Sequence, residues 1–184
     1  MNLAERWKRI ASKTIGSFRI FSIREDQYQL PRNHREAPFY ILESNDWVNV
    51  IPITENGEVV LIRQFRFGTE EVTLEIPGGI VEQSQTPLEA GQRELLEETG
   101  FTTDQWEYLG FVHPNPAFLN NRTHSFLARG VKKVAEIRPE ESEEFEMLQV
   151  PYPEIKNLIA QGTITHSLVI CAFHLYELGH LAGK

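Results

Sequence analysis

Gly78–Phe101 reads GGIVEQSQTPLEAGQRELLEETGF, two glycines leading through a polar loop into a glutamate-dense segment. Its boundaries are written in residues that begin and end helices. Thr86 is a good N-cap, Pro87 suits the first helical position, and Glu89 completes a capping box with Thr86. Gly100 is the expected stop, so a helix is predicted over Pro87–Thr99. Glu94, Glu97 and Glu98 fall at i, i+3 and i+4 and share one face. Like charges at that spacing repel, and in the last turns they also oppose the helix dipole. A hard divalent cation such as Mg2+ would reverse both effects, and a Gly-Gly turn lets backbone approach a ligand closely. A solvated acidic face is the plainer alternative at this point.

The chain has 184 residues, enough for one domain with a sizeable core or one domain with a small appendage. Its hydrophobic fraction of 41% and charged fraction of 24% are ordinary for a globular protein. A net charge of −8 argues against nucleic-acid or anionic-membrane binding, though a local basic patch could still hold phosphates. No apolar run reaches a membrane span, and MNLAERWKRI has no signal-peptide core, so a cytoplasmic location is expected. Cys171 stands alone in an apolar helical run and reads as an inert buried thiol.

Residues 1–46 read as a separate β-strand appendage, and 47–184 as the main domain. A short helix is expected over Asn2–Ile10, then strands at Ser17–Arg24, Gln27–Leu30 and Pro38–Glu43, with a turn at Glu25-Asp26. Three short strands make a weak core by themselves. With Phe21, Tyr28, Phe39 and Tyr40 to cover, packing on a second subunit is the expected solution, giving a homodimer. Trp47–Ile53 and Val59–Phe65 read as strands joined through Asn56-Gly57, a strong hairpin signal. Arg63 and Arg66 end that hairpin; they read as ordinary surface charge or as phosphate ligands, since the guanidinium fork matches phosphate oxygens. Thr73–Ile76 is a short strand that delivers Glu75 and Pro77-Gly78-Gly79.

Further on, Trp106–Val112 and Thr123–Ala128 read as strands flanking a loop with two prolines that presents Phe118 and Leu119. Arg138–Glu146 is strongly acidic, Phe145–Val150 is a strand, and Pro153–Gln161 and Ile164–Leu181 are helices. Strands alternating with three helices imply an α/β or α+β sandwich built on a mixed sheet. Nothing supports a Rossmann crossover, a zinc spacing among the histidines, or a nucleophilic serine.

Gly79-x5-Gln85-x7-Arg93-Glu94-Leu95-Leu96-Glu97-Glu98-Thr99-Gly100-Phe101 closely resembles the Nudix box, Gly-x5-Glu-x7-Arg-Glu-U-x-Glu-Glu-x-Gly-U, where U is a bulky apolar residue. One position departs: Gln85 stands where the family has glutamate. Beyond the box, the chain is similar to the ADP-ribose and nucleoside-diphosphate-sugar pyrophosphatase branch. The features that carry this are the N-terminal strands, Arg63-Gln64-Phe65-Arg66, Leu74-Glu75-Ile76-Pro77-Gly78-Gly79, and Pro116 sixteen residues after Gly100.

The resemblance implies a Nudix-type α/β/α sandwich and a metal-assisted hydrolysis of a diphosphate bond. It implies metal ligands at Glu94, Glu98 and the Gly78 carbonyl, with Glu97 joining them, for two or three Mg2+ ions or Mn2+ in their place. Arg93 would orient the glutamates, and Glu141 would be the catalytic base ahead of Glu143 and Glu144. Arg66 and Glu75 would line the diphosphate and sugar region of a small nucleotide-sugar substrate. Trp47 or Tyr28 could stack on the base, although a core or interface aromatic is an equal reading. Loop shape around Phe118 would bear on which sugar is taken. Members of the branch are commonly dimers that exchange or pack their N-terminal strands. The departure at Gln85 leaves a contrasting expectation, a non-catalytic module that binds or senses a nucleotide sugar.

Overall fold

The computed structural model describes residues 3–138 and 144–181. The chain forms two compact units: one takes the chain up to Asn45 with His113–Arg122, the other takes Asp46–Val112 and the chain from Thr123 onward.

In the first unit a 3-10 turn at Ala4–Arg6 precedes β1 (Lys8–Ser17), β2 (Ser22–Gln29) and β3 (Glu36–Glu43), an antiparallel sheet in that order. The expected helix at Asn2–Ile10 is thus reduced to one turn. The expected strand at Ser17–Arg24 is instead a hairpin: Ser17 pairs with Ser22, and Phe18–Phe21 is the loop. The Phe18 and Phe21 rings meet at 4.9 Å across it. Alternating apolar residues served there to close a loop, a use that periodicity alone does not distinguish from a strand.

Glu25-Asp26 lies inside β2 rather than at a turn. The Asp26 carboxylate is 1% exposed. It accepts Arg24 Nε and Nη2 at 3.0 Å each and the Ser12 hydroxyl at 2.6 Å, while Arg24 also pairs with Glu43. Burial raises the Asp26 pKa, but Ser12 and Arg24 outweigh it and hold the carboxylate below its ordinary value. Trp7, Tyr28 and Phe39 make edge-to-face contacts at 5.7–6.4 Å. β1 remains exposed along almost its whole length, and Trp7, Ile10, Ile15, Phe18, Ile20, Phe39 and Tyr40 all reach solvent. The loop from His113 belongs here through Leu42 N–H, which donates to Phe118 O at 2.8 Å, and Ser44 N–H, which donates to Asn120 Oδ1.

The second unit contains β4 (Trp47–Thr54), β5 (Glu58–Arg66), β6 (Glu71–Glu75), β7 (Gly78–Ile80), α1 (Pro87–Thr99), β8 (Phe101–Thr102), β9 (Gln105–Val112), β10 (Thr123–Lys133), β11 (Glu146–Pro151), α2 (Ile155–Ala160) and α3 (Ser167–Leu181). The sheet runs β11-β5-β4-β10-β8, with β9 also on β10. Only β4 and β10 are parallel, so the sheet is mixed. Alternation along the central strands splits the core. Ile51, Val59, Leu61 and Leu127 meet α2 and α3 through Ile155, Val169, Ala172 and Phe173. Val48, Val50, Val60, Phe126 and Ala128 meet Ala90 and Leu95 of α1 on the other side. The result is an α/β/α sandwich, as expected. No helix among the described residues is long and apolar enough to cross a membrane.

β4 and β5 pair at a single register position, Ile53 with Val59, next to the Asn56-Gly57 turn. Beyond it they diverge. Ile62 of β5 pairs with Met147 of β11 on one edge and Glu75 of β6 on the other, and Trp47 pairs with Thr123 of β10 on one edge and Ile80 of β7 on the other. β6 and β7 therefore occupy the gap between β4 and β5, which sets Glu75, Gly78 and Gly79 in the middle of the sheet.

Candidate active site

α1 begins and ends as its sequence requires. The Thr86 side chain accepts Glu89 N–H, the Glu89 carboxylate accepts Thr86 N–H at 2.7 Å, and Gly100 takes φ 74° and donates to Leu96 O. The segment after β10 caps the same end: Val134 N–H donates to Gly100 O and Arg138 N–H to Glu97 O, both at 2.8 Å. These bonds fix the stem of the acidic loop to the glutamate-bearing end of α1.

The glycine turn reaches this face of α1. Gly78 N–H donates to Glu98 Oε2 at 2.9 Å, and Glu98 is 4% exposed. Gly79 lies against Glu94: a Cβ there would stand 2.6 Å from Glu94 Cδ and closer still to Oε1. At Gly78 a Cβ would stand 2.7 Å from Asn49 Oδ1 and closer still to Val48 O. A side chain at Gly79 fits only if the Glu94 carboxyl moves, and one at Gly78 only if the β4 backbone moves.

The repulsion expected among the glutamates is partly relieved from within the helix. Arg93 Nη2 donates to Glu94 Oε1 at 2.8 Å and to Ile80 O at 3.1 Å, while Nη1 donates to Glu97 Oε2 at 3.0 Å. Burial lowers the Arg93 pKa, but Glu94 and Glu97 more than offset that and keep the guanidinium charged. Arg93 engages two of the three carboxylates, Glu94 and Glu97, and one guanidinium against three carboxylates leaves an excess of negative charge.

The second cluster lies on β5 and β6. Glu75 is 2% exposed and accepts Arg66 Nε at 2.7 Å, Arg66 Nη2 at 2.6 Å and the Thr73 hydroxyl at 2.6 Å. Burial raises the Glu75 pKa, but Arg66 and Thr73 prevail and hold it below the ordinary carboxylate value. The paired carboxylate fixes a half-exposed guanidinium in one orientation.

The other sequence-derived candidates are distributed more widely. Arg63 reaches Glu146 of β11 at 3.6 Å. Trp47 opens β4 and is half-buried. Tyr28 and Phe118 belong to the first compact unit, where Tyr28 packs on Trp7 and Phe39 and Phe118 is 46% exposed. Glu141 and Glu143 lie outside the described residues. His166, which sequence reasoning passed over, stands with Nε2 4.0 Å from Glu75 Oε2. No local pattern points to it, because only the fold brings the start of α3 to β6.

Hard oxygen donors, excess negative charge and a side-chain-free glycine turn fit a divalent cation. Among the described residues no three His, Cys, Asp or Glu side chains are gathered as a metal cluster. Arg93 engages Glu94 and Glu97, and Gly78 N–H holds Glu98. Gln85 Oε1 is buried without a hydrogen-bond partner, so the departing position of the box faces inward.

Comparison with known proteins matches the NUDIX domain over residues 45–173. An ADP-ribose pyrophosphatase of Bacillus subtilis is 29% identical over 93% of this chain and 92% of its own. A methanol dehydrogenase activator of Bacillus methanolicus is 28% identical over the same shares. Among solved structures, an ADP compounds hydrolase superposes with a TM-score of 0.84, at 20% identity, over 96% of both chains.

Proposed function

The chain belongs to the Nudix family and is a Nudix pyrophosphatase, and from that premise we propose that it hydrolyses the diphosphate bond of ADP-ribose or another nucleoside diphosphate sugar. The products are a nucleoside monophosphate and a sugar 1-phosphate, and the reaction depends on Mg2+. The observation that carries this reading is the approach of Gly78-Gly79 to the acidic face of α1, with Gly78 N–H on Glu98 and Gly79 against Glu94.

Glu94, Glu98 and the Gly78 carbonyl would hold two or three Mg2+ ions, with Glu97 as a further ligand. When bound, such ions would supply charge neutralisation of the diphosphate and a lowered pKa for a bound water, so that it can give up a proton as it attacks phosphorus. Arg93 keeps Glu94 and Glu97 oriented, a role its three hydrogen bonds support. Arg66, fixed by Glu75, binds diphosphate oxygens, and Arg63 adds positive charge at the end of the same strand. Glu141 accepts the proton of the attacking water. Of the described residues on either side of it, Arg138 is bonded to the end of α1 and Glu146 pairs with Arg63 across β11 and β5. Trp47 or Tyr28 is proposed to stack on the base, and the loop around Phe118 to bear on the choice of sugar.

The protein is proposed to act in the cytoplasm as a homodimer, with 1–46 as the dimerising part. The exposed apolar residues of β1 and its flanks support that assembly. A sedimentation mass equal to one chain would count against it.

The test is Mg2+-dependent release of phosphatase-sensitive product from ADP-ribose, ADP-glucose, GDP-mannose and UDP-glucose. Turnover of at least one is expected. Tight binding of one with turnover of none would replace the hydrolase with a nucleotide-sugar sensor.

A further inference from the structure

His166 is the residue just before α3, and its side chain turns toward the Arg66–Glu75 pair. Its Nδ1 is buried and has no hydrogen-bond partner. A buried lone pair is tolerated better than a buried N–H without an acceptor, so the ring proton belongs on Nε2, the nitrogen that faces Glu75 Oε2 at 4.0 Å. That separation is longer than a hydrogen bond, and the ring acts on the carboxylate as an oriented dipole and a wall.

We propose that His166 is a positioning residue for the Arg66–Glu75 pair: as the neutral Nε2–H tautomer it aims its N–H dipole, without a second positive charge, at the carboxylate that holds the Arg66 guanidinium, and so fixes that guanidinium for a diphosphate. A charged neighbour would compete with Arg66 for Glu75; a neutral N–H dipole supports the same carboxylate and leaves the fork in place. The charged groups that act on the ring are Glu75 from β6 and Arg66 from β5. Burial pushes the His166 pKa down, Glu75 raises it and Arg66 lowers it, with the balance below the ordinary value. The part of this inference that concerns ligand rests on the diphosphate reading of Arg66.

The test uses the full chain and three variants. Gln can place an amide N–H where Nε2 stands, Asn reaches only the Nδ1 position, and Phe keeps the ring without a donor. Nitrogen-15 spectra of the wild type should show His166 as the neutral Nε2–H tautomer at pH 7; an imidazolium or an Nδ1–H tautomer overturns the proposal. The Arg66 Nε–H proton should exchange slowly in the wild type and in H166Q, and fast in H166N and H166F.

ADP-ribose binding, measured in chelator so that no turnover occurs, should weaken about tenfold in H166N and H166F and stay within about threefold in H166Q. KM should rise in parallel, with kcat within about twofold of the wild type. Equal affinity and equal Arg66 exchange in H166F and the wild type would sink the idea, as would a loss of kcat at unchanged KM. If the wild type neither binds nor cleaves ADP-ribose, the diphosphate reading fails. The tautomer and the Arg66 exchange then decide the positioning claim by themselves.

Discussion

Replacing Gly79 by alanine separates the chemistry of the site from the stability of the fold. The new Cβ would stand 2.6 Å from Glu94 Cδ. Carbon atoms rest about 3.5–4.0 Å apart, so the carboxyl group must retreat by about 1 Å. The atoms in the way all belong to the Glu94 side chain, so the backbone need not follow. Its 2.8 Å bond from Arg93 then stretches out of hydrogen-bond range, and the metal-binding oxygens leave their place beside the glycine turn. A displacement of about 1 Å at a reacting centre costs on the order of 100-fold in rate, whereas the fold should lose no more than about 1 kcal/mol. Gly78→Ala is the control. Its Cβ would press on Val48 O and Asn49, part of β4 itself, and relief would break the β4–β7 pairing. That variant should lose about 3 kcal/mol. The assay pairs initial rates on ADP-ribose across a Mg2+ series with urea unfolding of both variants. Wild-type turnover in Gly79→Ala would refute the reasoning, as would equal destabilisation of the two.

Glu98→Gln should lower turnover by orders of magnitude while thermal unfolding stays near the wild type, because the amide oxygen can still accept from Gly78 N–H; a variant that turns over normally removes Glu98 from the ligand set. Arg66→Ala leaves the buried Glu75 carboxylate with Thr73 as its remaining strong donor and should cost about 3 kcal/mol in chemical denaturation. Glu75 has a lowered folded pKa, so its stabilisation is complete above the unfolded value of about 4.3 and is lost as pH falls through the folded one. The stability difference between the wild type and Glu75→Gln should accordingly be constant from pH 7 to about 5 and shrink toward pH 3 in acid titrations followed by circular dichroism. Gln85→Glu should raise Mg2+ affinity modestly in activation curves, and an unchanged midpoint would make Gln85 neutral.

The glutamate helix was legible in the sequence because its signals are local. A cap, a capping box and a stop glycine act within a few residues of each other, and the structure places α1 at Pro87–Thr99, the range they imply. The hairpin at Asn56-Gly57 is legible for the same reason. The N-terminal strands were misjudged where meaning depends on a distant partner. Asp26 looks like a turn residue until Arg9 and Ser12 are brought to it by pairing of β1 with β2, beside Arg24 of its own strand. Spacing predicts repulsion among Glu94, Glu97 and Glu98, but it does not show the side-chain geometry by which Arg93 bonds to both Glu94 and Glu97. Glu75 and Arg66 were separate candidates in the sequence; the β5–β6 pairing makes them one group. His166 carries no pattern at all.

The narrow contact between β4 and β5 has a consequence for how the sheet breathes. Past Ile53 and Val59, backbone hydrogen bonding between the two halves of the sheet runs through Glu71–Ile80. The segment that carries Glu75, Gly78 and Gly79 is thus also the seam of the domain, and opening it would release β5 with β11 on one side and β4 with β10 on the other. Amide exchange along β7 should then report opening of the whole sheet, and any ligand that holds Gly78 should slow exchange in strands it never touches. Occupancy of the site and cohesion of the sheet become one measurable quantity.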